Sequence, residues 1–162
     1  MKLFKWIGTE EDAQRIVEES MNETIIRLKN QEETLLLKEA EDAGFEYTEA
    51  YEILDRTGDL QDGFAVLNNV PVTEEGRELF EQRFSNRAGL IEEESGFLAI
   101  RVLRPLSSDT YVILTIWENE ESFTGWQQSQ AYNKAHAKRG TDNGIDKRPN
   151  IFARPSFVTK YQ

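Results

Sequence analysis

Residues 97–118 read FLAIRVLRPLSSDTYVILTIWE, and this stretch decides the fold class. Two runs rich in β-branched and aromatic residues, Phe97–Leu106 and Thr110–Glu118, are joined by the turn-forming sequence of residues 105–109. Apolar runs of this kind around a short loop of Pro, Ser and Asp are typical of a β-hairpin. The other elements can be placed outward from this hairpin.

The segments on either side of the hairpin complete a β-α-β-β-α-β order. The predicted elements are a strand at Gly63–Val72, a helix from Thr73 to about Ala88, helices at 120–128 and 130–139, and a closing strand at Ile151–Tyr161. Ser129 is expected to cap the last helix and to separate it from the one before. This order is that of a ferredoxin-like α+β domain.

The first part of the chain has a similar but less complete order. Its predicted elements are a strand at Lys2–Ile7, a helix from Thr9 to about Met21, a hairpin of Thr24–Leu28 and Thr34–Lys38, and a second helix at Tyr47–Arg56. A clear last strand is missing. We therefore expect two tandem halves, residues 1–62 and 63–162, whose sheets pair as in a dimeric α+β barrel. One chain would then form a pseudo-dimer and act as a monomer.

Composition excludes several classes of function. The formal net charge is −11, which argues against binding of nucleic acid or of an anionic membrane surface. There is no cysteine, so disulfides, thiolate metal sites and thiol catalysis are excluded. With no leader-like start and no apolar run near the roughly 20 residues of a membrane span, a cytoplasmic protein is expected.

The charge is unevenly distributed. Residues 1–63 hold 17 acidic and 7 basic side chains, whereas residues 64–162 hold 13 and 12. Residues 133–154 contain six cationic side chains and only two acidic ones. This basic stretch suits an anionic ligand, and cations that complement a helix C-terminus explain part of it equally well.

The basic stretch contains His136, the only histidine of the chain. Neutral imidazole is the commonest side-chain metal ligand, so any metal or heme held through nitrogen must use His136. An ordinary surface or half-buried position is the alternative. Trp126 lies ten residues earlier, which is roughly 280° around a continuous ideal helix and about 80° off the same face. A shared site for both therefore favours the break predicted at Ser129.

These residues carry a family resemblance. The run from Ile113 to Trp126, followed by Ser129 and by residues 134–136, resembles the IsdG-type heme-degrading monooxygenases of the antibiotic-biosynthesis-monooxygenase (ABM) superfamily. Asn68, followed by Val70, Val72 and Thr73, resembles the first strand of that domain, which carries the family's asparagine. The ABM resemblance covers residues 63–162. With residues 64–69, 86–89 and 102–106, similarity to Bacillus-type members extends over the whole chain.

The resemblance implies a heme site with three principal residues. His136 would be the axial ligand of the heme iron, Asn68 would donate a hydrogen bond on the opposite side of the heme, and Trp126 would push the porphyrin out of plane. It also places heme against the first helix of the domain, where Arg83 could bind a propionate and Phe84 could pack on the ring. Heme would be both cofactor and substrate, and O₂ and an electron-donating reductase would be needed to open the ring and release iron.

Simpler interpretations stay open for each residue. Asn68 or Asn69 could make strand-end contacts, Trp126 and Phe84 could belong to the core, and Arg83 could be a solvated residue. Trp117 is assigned to the core. The first half has no histidine, so a second heme site is not expected.

Two other functions remain possible from sequence. One is a heme-binding or TRAP-like signalling module without turnover. The other is a cofactor-free ABM monooxygenase acting on an aromatic substrate, in which His136 would act as a base.

Overall fold

Eight antiparallel strands form a single sheet in the computed structural model, which describes residues 1–20, 23–85, 90–137 and 151–162. The strands are β1 (Lys2–Gly8), β2 (Ile26–Lys29), β3 (Thr34–Ala40), β4 (Glu49–Thr57), β5 (Phe64–Pro71), β6 (Phe97–Pro105), β7 (Thr110–Trp117) and β8 (Phe157–Tyr161). The helices are α1 (Glu10–Glu19), α2 (Arg77–Ser85) and α3 (Glu120–Ala137), with a 3₁₀ turn at Leu90–Glu93. The predicted α+β, ferredoxin-like class is confirmed.

The two halves of the sheet repeat one strand order. The full order is β2-β3-β1-β4-β6-β7-β5-β8, so the first four strands and the last four follow the same pattern. β4 pairs with β6 and joins the halves. At the far edges, Lys29 on β2 and Gln162 exchange two backbone hydrogen bonds of 3.0 and 2.8 Å, which nearly closes a barrel. The pseudo-dimeric barrel is confirmed, while a domain boundary at residues 62 and 63 stays a prediction because one sheet spans both halves.

Strand alternation divides the apolar residues between the barrel interior and the helix-covered outer face. The interior cluster draws on both halves, with Leu3, Leu35 and Leu37 from the first and Leu67 and Leu114 from the second. On the outer face of the first half, α1 packs Ala13 and Ile16 against Leu36. The outer face of the second half is covered by α2 and α3. None of these three helices in the described ranges has the length and apolar character to cross a bilayer.

The predicted second helix at Tyr47–Arg56 is wrong, because this segment forms β4. The register of β4 against β6 shifts between Ile53 and Asp55, where the strand bulges. A bulge interrupts the two-residue alternation of a strand, and the apolar residues Ala50, Ile53 and Leu54 then acquire helix-like spacing. β4 is also the last strand that seemed to be missing from the first half.

The predicted break at Ser129 is also wrong. α3 runs without interruption from Glu120 to Ala137, although two helices were expected. Its N-cap is Asn119, whose side-chain oxygen accepts a 2.9 Å hydrogen bond from the backbone N–H of Ser122. Serine has only a moderate cost inside a helix, so Ser129 is accommodated on the exposed side of α3.

Candidate active site

Asn68 lies on the outer face of β5, between two apolar clusters. Alternation places it on the same side as its neighbours Val66 and Val70. Val66 belongs to the cluster that Trp126 of α3 joins, and Val70 belongs to the cluster that Phe84 of α2 joins. The strand thus places a polar amide between the parts of the outer face covered by α2 and α3.

Apolar side chains also flank Asn68 across the sheet. Residues paired in an antiparallel ladder point to the same face, and Asn68 pairs with Ile113 on β7 and with Val158 on β8. Val158 is 49% exposed, which is unusual for a large apolar residue beside a packed face. Within the described ranges the half-buried Asn68 side chain makes no hydrogen bond. The amide is therefore available to a ligand in apolar surroundings.

Asn69 has the opposite role, although it is adjacent in sequence. It points into the barrel and is 4% exposed. Its amide nitrogen donates to the carbonyl oxygens of Leu67 and Phe157 at 3.0 and 3.2 Å, and lies 3.2 Å from the Thr159 hydroxyl. These contacts tie β5 to β8. The structural interpretation therefore holds for Asn69, and Asn68 remains the candidate for chemistry.

The two tryptophans of this half differ in a similar way. Trp117 is fully buried, as predicted for a core residue, and its indole N–H donates to the Thr115 hydroxyl at 2.9 Å. Trp126 on α3 is half-buried, with ring centroids 5.6 Å from Trp117 and 6.2 Å from Phe123. Its indole nitrogen is buried and has no hydrogen-bond partner in the part of the chain that the structure describes. A buried donor without an acceptor is costly, so this N–H marks a place where a ligand could supply one.

His136 lies in the last turn of α3, and its side chain is outside the described residues. Because α3 is one continuous helix, Trp126 and His136 are separated by roughly 15 Å along the axis and by about 80° around it. A single ligand that contacts both positions must extend over nearly three helical turns.

On α2, Arg83 is exposed and Phe84 is half-buried. The Phe84 ring meets the edge of Phe80 with centroids 5.1 Å apart. α2 is held to the sheet by Glu81, whose carboxylate accepts hydrogen bonds from Arg104 and Tyr111. The hydrogen bond from Arg104 holds the pKa of Glu81 below its usual range. Burial, followed by the contact with Glu81, raises the pKa of Tyr111 to about 12.

Comparisons with known proteins identify the family. The family model for antibiotic biosynthesis monooxygenases matches residues 63–138. A heme-degrading monooxygenase from Bacillus mycoides is 35% identical over 78 residues, which are 46% of this chain and 72% of the relative. The chain belongs to the antibiotic biosynthesis monooxygenase family.

A second relative of this ABM chain is a mycobilin-producing heme oxygenase from Mycobacterium tuberculosis, 40% identical over 58 residues. The matched part is 35% of this chain and 54% of the relative, so the chain spans about half the length of that enzyme. This match is shorter than that to the Bacillus mycoides relative.

Solved structures show the ABM fold over the whole chain. A major regulator of staphylococcal pathogenesis superposes with a TM-score of 0.84 at 18% identity, covering 99% of this chain and 98% of the other. A heme-degrading enzyme from Listeria monocytogenes superposes with a TM-score of 0.72 at 19% identity, covering 100% and 99%. At these identities the likeness concerns the fold alone.

The ABM domain brings several predicted site residues to one face. Asn68, Trp126 and Phe84 all belong to the outer face of the second half or pack on it, and the backbone of α3 brings His136 to the same helix as Trp126. Sequence reasoning missed Val158 and Glu81. The alternation of residues 157–161 is the signal for the orientation of Val158, whereas the contacts of Glu81 depend on strands that are distant in sequence.

Proposed function

We propose that this ABM protein degrades heme, opening the porphyrin ring with O₂ and with electrons from an external reductant, and releasing iron. The observation that carries the proposal is the arrangement around Asn68, an amide without a hydrogen bond among the described residues that is surrounded by Val66, Val70, Ile113 and Val158. A large, mainly apolar ligand with a polar centre fits such a surface. Heme is a ligand of this kind.

Trp126 supports the fit of heme to this face. Its buried indole N–H has no acceptor among the described residues, and its ring is held by Trp117 and Phe123 on the side of the core. A rigid aromatic ring fixed from behind can press on a flat ligand without giving way.

His136 would hold the iron, since it is the only imidazole in the chain. An imidazole at this position would hold the heme iron and leave it able to react with O₂. When bound, heme supplies the iron centre that activates O₂ and also the ring that is opened. Asn68 would donate a hydrogen bond from its amide, a group that does not titrate and so keeps its proton at any pH near neutrality.

Arg83 and Phe84 complete the proposed site on the side of α2. The guanidinium of Arg83 would bind a propionate, and Phe84 would contact the porphyrin. We also propose that the enzyme is monomeric, because its two halves already supply all eight strands of the barrel. A cytoplasmic location and an electron-donating reductase as partner stay predictions.

Hemin added to the purified protein tests the proposal. We expect a Soret band at one equivalent, followed by its decay when ascorbate and air are supplied, with release of iron measured by a ferrous chelator. A band that persists through many equivalents of reductant would indicate a binding or signalling module. Absence of a band would indicate a cofactor-free monooxygenase or another activity.

A further inference from the structure

Glu81 ties α2 to both strands of the β6–β7 hairpin. The guanidinium of Arg104, on β6, donates two hydrogen bonds to the two carboxylate oxygens at 3.0 and 2.5 Å. The phenol of Tyr111, on β7, donates a third to the same carboxylate. Paired, charge-assisted hydrogen bonds of this geometry fix direction as well as distance. One side chain of the helix is therefore held at two points of the sheet.

Tyr111 is the buried member of this group of three hydrogen-bonded side chains. It is fully buried, and its ring meets Phe80 of α2 edge-on with centroids 4.8 Å apart. The guanidinium of Arg77, at the start of α2, lies 5.6 Å above the same ring. Tyr111 thus contacts the first and middle turns of α2. The Phe80 ring in turn contacts the Phe84 ring.

α2 depends on tertiary contacts of this kind for its stability. α2 has only nine residues, and helices of this length are marginal without tertiary contacts. The apolar contacts of α2 with the sheet come from the buried Phe80 and from the partly buried Leu79 and Phe84. Tyr111 pairs with Val70, which is two residues from Asn68 on the same face. The place where α2 is fixed therefore borders the candidate active site.

We propose that Glu81 is a positioning residue that sets where α2 lies over the hairpin, and through it where Phe84 and Arg83 lie beside the heme. The part that concerns heme rests on the proposed function. The part that concerns the position of α2 does not, because it follows from the contacts of Glu81 with Arg104 and Tyr111.

Two variants test this role against a matched control. Glu81→Gln keeps the size of the side chain and removes its charge, and Tyr111→Phe removes only the phenolic hydroxyl. The control is Glu78→Gln, an equal change of charge on the exposed side of the same helix, where Glu78 has no ion pair or hydrogen bond from its side chain among the described residues. Hydrogen–deuterium exchange without hemin and a hemin titration are measured for all three.

For both test variants we expect faster exchange in residues 77–85 and unchanged exchange in β1–β4. In the titration we expect a roughly tenfold higher Kd for hemin and a shifted Soret band. Glu78→Gln should match the wild type. Combining Glu81→Gln with Tyr111→Phe should cost less than the sum of the two single variants, because both changes weaken the same group of contacts. Exchange that rises equally throughout the barrel, or that is unchanged in α2, would overturn the positioning role.

The outcome is separable from the proposed function. If wild-type protein shows no Soret band, the heme proposal fails, and the exchange in α2 still decides whether Glu81 positions the helix. If the band is present and both variants bind hemin as the wild type does, the part of the positioning role that concerns heme is overturned while the heme proposal stands.

Discussion

The two halves of the barrel share one strand order but use their outer faces differently. In the first half β3 leads to β4 without a helix between them, and α1 packs on the outer face together with Ile25 and Phe45. In the second half α3 is inserted between β7 and β8, and it carries Trp126 and His136. The two halves therefore share the arrangement of their strands. They differ in α3, the helix that gives the second half its candidate active site.

The interior of the barrel, in contrast, joins side chains from both halves. Arg101 on β6 is fully buried and binds Glu39 on β3 through two hydrogen bonds of 3.0 and 3.1 Å. Further hydrogen bonds run from Arg101 to the carbonyl oxygens of Thr57 and Ile100. This ion pair links the halves across the interior. We infer that they fold as one unit although only one of them carries the site.

The largest expected effect is the loss of heme binding in His136→Ala. The first half contains no histidine that could replace this ligand. We expect the Soret band of the hemin complex to disappear or to shift grossly, measured by titration at equal protein concentration. A variant that binds hemin with the wild-type spectrum would show that the ligand assignment is wrong.

Arg101→Ala should destabilise both halves together. Removal of one partner leaves the Glu39 carboxylate, 15% exposed, without its cation, which costs about 3–5 kcal/mol for a buried pair. Urea unfolding followed by circular dichroism should show a single transition at a lower midpoint. The control is Arg154→Ala, which breaks an exposed pair with Asp109 and should leave the midpoint nearly unchanged. Two separate transitions would contradict the shared interior.

Asn68→Ala and Asn69→Ala should separate activity from stability on neighbouring residues. Asn68→Ala should keep its melting temperature and its hemin complex and lose roughly 10²-fold in turnover, as is typical when a positioned hydrogen-bond donor is removed. Asn69→Ala should lose about 1–3 kcal/mol of stability, because it leaves buried carbonyl groups without a donor. The reverse pattern, with Asn69 decisive for turnover, would assign the chemistry to the barrel interior.

Acid should weaken the second half through Glu81. The pKa of this carboxyl is lowered in the folded state by Arg104, so its contribution to stability is present above the unfolded pKa of about 4.3 and is lost as pH falls through the lower folded value. We expect the melting temperature of wild type to fall more than that of Glu81→Gln between pH 5 and pH 3. Equal slopes would show that Glu81 contributes no such linkage.

The smallest effect concerns Lys5 of the first half, which is 9% exposed and lies 5.5 Å from the Tyr51 ring. Burial lowers the pKa of Lys5, with Glu49 and Glu33 opposing the shift. A lysine with a lowered folded pKa costs stability while it is charged, and this cost begins to fall as pH rises past the folded pKa and is gone above the unfolded pKa. Lys5→Met should therefore have an equal or slightly higher melting temperature at pH 7. A clear decrease would show that the charge stabilises the barrel.

Sequence predicted the second half well because its strands alternate and its turns are marked by Pro, Ser and Asp. It failed at β4, where a bulge between Ile53 and Asp55 disturbs the alternation, and at Ser129, which continues α3. Asn68 and Trp126 were found by resemblance, since residue pattern alone favoured a structural role for both. The partners that complete the site, such as Val158 beside Asn68, depend on pairing between β5 and β8, which local pattern does not reveal.

We propose that heme binds on the outer face of the second half. Hydrogen–deuterium exchange with and without one equivalent of hemin tests this location, with His136→Ala as the reference for non-specific association. We expect hemin to protect amides in β5, α2 and α3 and to leave α1 and β1–β4 unchanged. Protection centred on the first half, or the same protection in His136→Ala, would contradict the account.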